Sequence, residues 1–582
     1  MSEQVISQAL ASRPVESSAH RQQLLSGKRL WLAVIFGLLV FVVLLWLPFG
    51  FKTPGLMEEW MIIHDFENGG HSAQGQDVGL FVTTGDLVMR PMDTGWYIIA
   101  HVLAPDSFLG YNLLTMLTFF LRGLLLYAIL RKLVPGNPLF AFGAALLFII
   151  FPADDGLFTF RGINIHAAIC LYLFAVYMLL SYYEKPHILK LVPIWLALIW
   201  SMFSYEVSYP LVAFTPFLLL WKERRLNAKQ IRIAFLWWLA PLVTFTYAVV
   251  MFAHGGTYQA WVLERSGLNQ GSVLGEIAQS LWMSYRRHFG EGWIPALKWE
   301  TFAPLIPDVL AICATTIAAL AALFPSARQV TPTGKRRYVE LFLIGLAIIF
   351  LGYVVYMITP YRQLTWRVYY FSGIGGAISV ACLVYFVARF FSAWRVVFAV
   401  GMCALITLAG VHALDQAQYY AGLSIEQQQL LRGVANAVPK LKAPATLVVV
   451  DETGRYRDNW TLGTSYLVED ALGYLYDDYT MKAVLCYFDP QQGHFGVLPE
   501  LHEQCDFAAD GLHLSEDGKL VQTNPYSDIV AVRITDTGTT LLNTIPAAYL
   551  DGTDGAGYDP VRLVDTSAAP PYRSQTLISL PN

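Results

Sequence analysis

LWLAVIFGLLVFVVLLWLPF, residues 30–49, leads through a short link into Met57-Glu58-Glu59-Trp60. The first stretch is uncharged and about 20 residues long, the length that crosses the hydrocarbon core of a bilayer. It has no small-residue cleavage site, so it reads as a retained anchor and not as a removable signal peptide. An acidic pair follows it at once. Working outward, apolar windows of similar character recur near 30–49, 108–130, 138–152, 164–182, 189–204, 209–221, 233–254, 302–325, 339–359, 369–391 and 395–414, about eleven in all.

Composition agrees. The chain has 582 residues, 55% hydrophobic and 14% charged, with mean hydropathy +0.46. Soluble domains average about 25% charged. Basic residues orient the windows. Lys28/Arg29, Arg131/Lys132, Lys185/Lys190, the group from Lys222 to Arg232, the group from Arg328 to Arg337, and Arg389/Arg395 fall on alternate loops. Those loops are cytoplasmic by the positive-inside rule. The N-terminus is then inside and the C-terminus outside. The expected organisation is a polar cytoplasmic segment, 1–29, a transmembrane domain, 30–414, with long outer loops 50–107 and 255–301, and an extracytoplasmic domain, 415–582. Residues 96–103 form an amphipathic stretch suited to the interface. Trp261, Trp282, Trp293 and Trp299 favour the headgroup layer.

Net charge is −4, unevenly distributed: from Asp415 onward acids outnumber bases by about two to one. The tail reads as α/β, with buried strands at 445–450 and 529–534 and a helix at 462–476. Cys486 and Cys505 are spaced for a disulfide if this domain is exported, or are two unpaired thiols. Cys170, Cys313, Cys382 and Cys403 lie in apolar windows as small hydrophobes. No CxxC or zinc pattern is present. The triplet at 459–461 fits a glycosylation sequon, which is common by chance.

Polar residues with chemical potential gather at the outer ends of the windows. Glu58 and Glu59, with His64, Asp65 and Glu67 beyond, can supply a general base or a metal ligand, or form a solvated loop. Arg90-Pro91 can pair with these acids or with a phosphate. The second outer loop carries Asp154, Asp155 and Arg161, then Asn164 and His166. The Asp pair is a possible metal site and also a common loop composition. Glu206, in Ser204-Tyr205-Glu206 with Pro210, sits near membrane depth, where an acid is costly unless paired. Arg362 and Trp366-Arg367-Val368-Tyr369-Tyr370 open the tenth window and suit a phosphate at headgroup level, or a lipid anchor. Arg122 can snorkel to the cytoplasmic surface. Asp308 and His254 stand near outer ends.

In order and sidedness these landmarks resemble the polytopic glycosyltransferases called GT-C, which include protein O-mannosyltransferases and aminoarabinose transferases. Glu58-Glu59 looks like the family's acidic pair after the first span, and Arg90-Pro91 like its Arg-Pro before a surface helix. Ser204-Tyr205-Glu206 with Pro210 looks like its Ser-Lys-Glu turn, and Arg367 to Tyr370 like its Arg-x-x-Tyr. Both members of the pair are Glu where Asp is usual, and Tyr205 stands where Lys is usual. The resemblance covers about 30–410 and omits the tail. It implies a GT-C-like polytopic helical fold and an inverting sugar transfer from a polyprenyl-phosphate donor to a glycan, lipid or protein acceptor at the outer face. Glu58 or Glu59 would be the base. Arg367, with Arg362 or Arg161, would hold the phosphate. Asp154 and Asp155 would orient substrate, or bind a divalent cation (Mg or Mn) in a metal-dependent variant. The expected location is a bacterial inner membrane, with the bilayer and the lipid-linked donor as partners and no nucleic acid. The rival readings are an oligosaccharide polymerase or ligase using a lipid-diphosphate donor, a transporter or flippase, and a scaffold. Apolar midplanes and the lack of a visible repeat speak against transport.

Overall fold

The computed structural model describes residues 14–52, 55, 56, 58–67, 90–105, 107–224, 226–254, 262, 263, 266, 273–328, 334–457, 461–499, 501–550 and 555–573. Each apolar window falls on helix. Among the described residues six helical segments are long and apolar enough to cross a membrane: Lys28–Lys52, Leu109–Leu133, Ile163–Glu184, Ala228–His254, Trp299–Ser326 and Trp394–Ala437. The other windows are held by shorter helices. The window at 209–221 is two of them, Ser208–Phe214 and Phe217–Glu223, because Pro216 cannot extend a helix through its missing N–H. The window at 339–359 likewise breaks, at Gly352, into Lys335–Leu351 and Val354–Met357.

The centre of the bundle is α1, Pro138–Ile149. Asn137 caps its start, its side chain accepting from Phe140 N at 3.1 Å, and Pro138 supplies the preset first turn. All twelve of its residues are buried. A helix apolar on every side has no solvent face to present, so it becomes the core around which its neighbours pack. Two further helices, α2 (Lys335–Leu351) and α3 (Ser372–Ala388), touch backbone to backbone. A Cβ on Gly375 would lie 2.3 Å from the Gly345 carbonyl oxygen, so only glycine permits this approach.

The last span does not stop at 414. It continues as one 44-residue helix, α4 (Trp394–Ala437), so the expected domain boundary at 415 falls inside a continuous element. The apolar run ends there because the next residues face a polar rim, while the helical period runs on. Beyond α4 lies an α/β domain. Its five-stranded sheet has the order β3-β2-β1-β7-β8, with β1 (Thr446–Asp451) parallel to both β2 (Lys482–Asp489) and β7 (Ile529–Thr535). Strand β3 is His494–Gly496 and β8 is Gly538–Leu541. Both faces of β1 are covered, which explains its unbroken Leu-Val-Val-Val. Leu447 and Val449 face α5 (Ser465–Tyr476), while Val448 and Val450 face a three-stranded antiparallel sheet, β4-β5-β6 (Glu503–Ala508, Gly511–Glu516, Lys519–Asn524). Cys486 and Cys505 form a disulfide that joins the two sheets. Of the sequon at 459–461, only Thr461 lies within the described residues.

The domain is not a pendant. Helix α6 (Glu58–Glu67) packs on α5, and Trp60, Ile63, Tyr97 and Phe108 share one hydrophobic cluster with Leu447, Leu467 and Leu472. Trp60 Nε1 donates to Gln427 on α4 at 3.2 Å, and His64 stands 3.6 Å from Asp470 on α5. The acidic pair therefore lies on a helix clasped between the bundle and the domain.

Candidate functional site

The loop between α1 and the helix Ile163–Glu184 is the organising element. Asp154 is buried at its tip. One carboxylate oxygen accepts from Gly156 N at 2.9 Å and Arg367 N at 2.8 Å, and the other accepts from Tyr369 N at 2.9 Å. Asp155 N donates to the Thr365 carbonyl at 3.0 Å, and Tyr370 Oη donates to the Gly156 carbonyl. The Asp pair thus clips two loops together across more than 200 residues of chain. Burial pushes the Asp154 carboxyl up to about 7, against the three backbone N–H groups and with the neighbouring Asp155 charge.

Asp155 turns the other way. Its carboxylate pairs with Arg287, lies 3.4 Å from His412 Nε2 and accepts from Gln416 Nε2 at 3.3 Å. Burial would raise it, but the His412 hydrogen bond and Arg287 hold it below the usual carboxylate range. Both carboxylates are met by N–H donors and cations. Among the described residues no three acidic, His or Cys side chains converge as metal ligands. The donor set around Asp154 and Asp155 does not fit a divalent cation.

Glu59 is also buried, and its oxygens accept from Leu56 N at 2.8 Å and Arg161 N at 3.1 Å. It therefore joins the start of α6 to the same loop. Glu58 opens α6, and its side chain lies outside the described residues. Tyr97, on α7 (Thr94–Leu103), donates to the Arg161 carbonyl at 2.8 Å. Helix α7 is the amphipathic surface helix expected at 96–103, with Ile99, Val102 and Leu103 exposed. Its first turn is tied down by Asp93, which accepts from Asn164 and which burial pushes up to about 6.

Beside this framework lies a cavity of about 190 Å³. Arg90, Tyr205, Glu206, Tyr356, Tyr361 and Arg367 line it, with Phe252, Val262 and Val355 supplying an apolar side. Arg90 grips Glu206 with two hydrogen bonds, 2.7 and 2.6 Å, and its guanidinium lies 4.7 Å from the Tyr205 ring centre. Tyr205 and Tyr356 hydroxyls are 2.6 Å apart, and Tyr356 Oη donates to the Arg367 carbonyl at 3.1 Å. Arg90 is thus the charge partner of Glu206, while Tyr205 contributes its ring and hydroxyl. Arg367 has φ 58°, in the left-handed region that a side chain adopts at about 1–2 kcal/mol. The Asp154 bond to its N–H holds it there. Its guanidinium lies 4.4 Å from the Trp366 ring and 4.7 Å from Tyr361, and Arg161 approaches the same Trp366 at 5.3 Å. Two cations therefore lie within about 5 Å of one indole.

The structure brings together Glu59, Arg90, Asp154, Asp155, Arg161, Glu206, Arg367 and Tyr370. Arg362 stands apart. It is buried, pairs with Glu276 and donates to the carbonyls of Ser266 and Thr359 at 3.0 Å each. It anchors α8 (Val273–Phe289), an amphipathic helix within the loop 255–301, and does not line the cavity. Arg122 does not snorkel. It is buried, donates to the Ile149 carbonyl and meets His166 at 3.2 Å, because the end of α1 leaves carbonyls without helical partners. Exposed His254 and half-buried Asp308 also lie outside the cavity lining. Residues not anticipated are Arg287, His412, Gln416 and Tyr420, whose hydroxyl donates to the Asp155 carbonyl at 2.6 Å. The i, i+4 spacing of His412, Gln416 and Tyr420 across the end of the last apolar run was the available signal.

No family model matches the chain, and no curated protein matches it. Two solved structures similar to it are ArnT from Cupriavidus metallidurans, bound to undecaprenyl phosphate and in the apo state. They are 13% and 12% identical, cover 78% of this chain and 85% and 84% of their own, and superpose with TM-scores of 0.33 and 0.32. At these values neither likeness bears on function.

Proposed function

We propose that this protein is a GT-C-type membrane glycosyltransferase that moves a sugar from a polyprenyl-phosphate donor to an acceptor at the outer face, with inversion. One observation carries the reading: a single rim cavity collects two arginines and a carboxylate from three distant segments, with an apolar wall beside them. A lipid phosphate needs fixed cations next to a dry flank, and that is what Arg90, Arg367 and the Phe252 side supply.

In this reading Arg367 neutralises the phosphate as it leaves, and Arg161, near the same Trp366 ring, adds to the field. Glu206 keeps Arg90 oriented. The acceptor hydroxyl or amine gives its proton to a carboxylate of the acidic pair, and its lone pair forms the new bond to the anomeric carbon. The bond from that carbon to the phosphate oxygen breaks on the opposite side, and its electron pair stays on the phosphate. Glu59 already accepts two backbone N–H bonds. We therefore assign Glu58 as the base and Glu59 as the group that positions it. No step uses a metal. The inner-membrane placement with the C-terminal domain outside is part of the same proposal, supported by the alternating basic loops and the Cys486–Cys505 disulfide.

The test is transfer of label from radiolabelled polyprenyl-phosphate sugars in membranes containing wild type, Glu58→Gln, Glu59→Gln or Arg367→Ala. Loss in Arg367→Ala and Glu58→Gln, with folding intact, supports the mechanism. Transfer untouched by all three overturns the site. Turnover of diphosphate donors alone transfers the case to a polymerase or ligase.

A further inference from the structure

The span Trp299–Ser326 and the first part of α4 enclose an apolar trough of about 1150 Å³, at the end of α4 away from the Asp155 loop. Small side chains open it. Ala399, Cys403 and Thr407 follow one another at i, i+4 and i+8 along α4, with Ala404 beside them, and Cys313 and Ala321 line it from the other helix. The sulfurs of Cys313 and Cys403 lie 3.9 Å apart where the two helices meet at its floor. Ile317 and Val400, on its walls, are more than half exposed, so it opens outward and not into the core. At about 1.5 Å per residue the stretch Val396 to Leu408 is about 18 Å long. That is close to one leaflet of a hydrocarbon core about 30 Å thick.

The end of the trough at the start of α4 is cationic. Arg395 stands four residues before Ala399, so it continues the row of Ala399, Cys403 and Thr407. Helical side chains lean toward the N-terminus, which carries this one past the end of the trough. Its guanidinium lies 4.9 Å from the Trp394 ring centre, and that of Arg389 lies 5.0 Å from the same ring. Neither arginine forms an ion pair among the described residues. The one acid in the sequence between Asp308 and Asp415 is Glu340, which Arg224 and Arg336 hold. Lys132 and Lys222, at the same end of the bundle, share Glu184. Phe390 and Phe391, in the turn between α3 and α4, are exposed, as suits headgroup level. Snorkelling arginines and shallow grooves are each ordinary at a bilayer surface. Here the cations without carboxylates stand at the mouth of a trough one leaflet long. Together the two match a lipid with a phosphate head and an acyl chain.

We infer that this trough is a binding site for one anionic phospholipid of the leaflet opposite the rim, its phosphate on Arg389 and Arg395 and one acyl chain along Ala399, Cys403 and Thr407. The inference does not rest on the transferase reading.

The experiment uses the full-length protein in detergent, stripped of lipid by exchange. It is titrated with dioleoyl phosphatidylglycerol or dioleoyl phosphatidylcholine, which differ in net charge and share the same chains. Native mass spectrometry counts the bound lipid, and a phosphatidylglycerol with a mid-chain diazirine reports where the chain lies. Arg389→Gln with Arg395→Gln removes the charge, and Ala321→Leu with Ala404→Leu fills the trough from two exposed positions. Wild type should hold one phosphatidylglycerol about tenfold or more tighter than phosphatidylcholine, with crosslinks inside 313–325 and 396–408. The arginine variant should bind the two lipids within about threefold of each other, and the filled variant should lose the crosslinks. The inference is overturned if wild type does not distinguish the two lipids, if either variant behaves as wild type does, or if the crosslinks fall elsewhere. Competition by inorganic phosphate at equal concentration would overturn it by showing that the head alone is bound. Displacement by polyprenyl phosphate at equal concentration would overturn it by giving the trough to the donor lipid. No sugar transfer is measured, so Arg367→Ala protein must bind phosphatidylglycerol like wild type.

Discussion

The rim loops of the bundle and the C-terminal domain handle polar groups in different ways. At the rim, carboxylates are sunk among apolar side chains, and every one described meets chosen donors: Asp154 three backbone N–H groups, Asp155 a guanidinium, Glu206 a bidentate arginine. In the domain Gln504 and Asp506 of β4 stand in water, Glu503 is a buried exception that accepts from Ser465 N at 2.8 Å, and the interior is otherwise Leu, Val and Phe braced by a disulfide. A buried charge is expensive to leave unpaired, so the rim is rigid through its hydrogen bonds and sensitive to losing any of them. The domain is rigid through apolar area and a crosslink, and its exposed polar groups are replaceable without structural loss.

That contrast orders the expected effects. Arg367→Ala removes a preorganised cation from the leaving phosphate, and sugar transfer should fall about 100- to 1,000-fold while the membrane fraction unfolds normally. A fall of less than tenfold would place the phosphate elsewhere. Asp154→Ala leaves three backbone donors without their acceptor and should lower stability by about 3 kcal/mol, read as thermal unfolding in detergent. Asp154→Asn, which keeps one acceptor oxygen, should lose less.

The same residue gives a pH signature. Its native carboxyl titrates near 7 against an ordinary 3.8, so the folded form holds a proton that the unfolded form has released between those values. Stability contributed by Asp154 should therefore fall as pH rises from about 4 to about 7 and level off above, and the Asn variant should lack that slope. An unchanged pH profile in Asp154→Asn would show that the slope belongs to another group.

Cys486→Ser opens a crosslink spanning 19 residues and should cost the domain about 3 kcal/mol. Proteolysis should then begin in the two sheets and leave the bundle intact. If cleavage starts in the rim loops instead, the two regions are not independent in the way described. The smallest effect is expected for Glu276→Ala, which frees Arg362 and loosens α8. Transfer should drop only a few-fold, because neither residue lines the cavity.

How much of this was legible follows from range. The apolar windows, α7 and the two strands of the tail are written in local periodicity, and they appear where expected. The rim residues were found because polar groups at the ends of apolar runs are rare enough to stand out. Their partners were not found. Arg287 pairs with Asp155 across 132 positions, and nothing near Arg286-Arg287-His288 distinguishes it from a solvated helix end. Arg362 and Arg367 looked equivalent in sequence, five residues apart. Only the fold shows Glu276 claiming one of them and the cavity receiving the other. Residue 415 read as a boundary because composition changes there, while the backbone simply continues.

That unbroken helix has a mechanical meaning. At about 1.5 Å per residue, Trp394–Ala437 is a shaft of about 66 Å. It carries His412, Gln416 and Tyr420 against the Asp155 loop near its middle and enters the α/β domain at its end. A shaft without a hinge transmits torque: the domain cannot turn about the membrane normal without twisting the three side chains that grip the loop. Whatever docks on the domain therefore has a direct handle on the geometry of the rim.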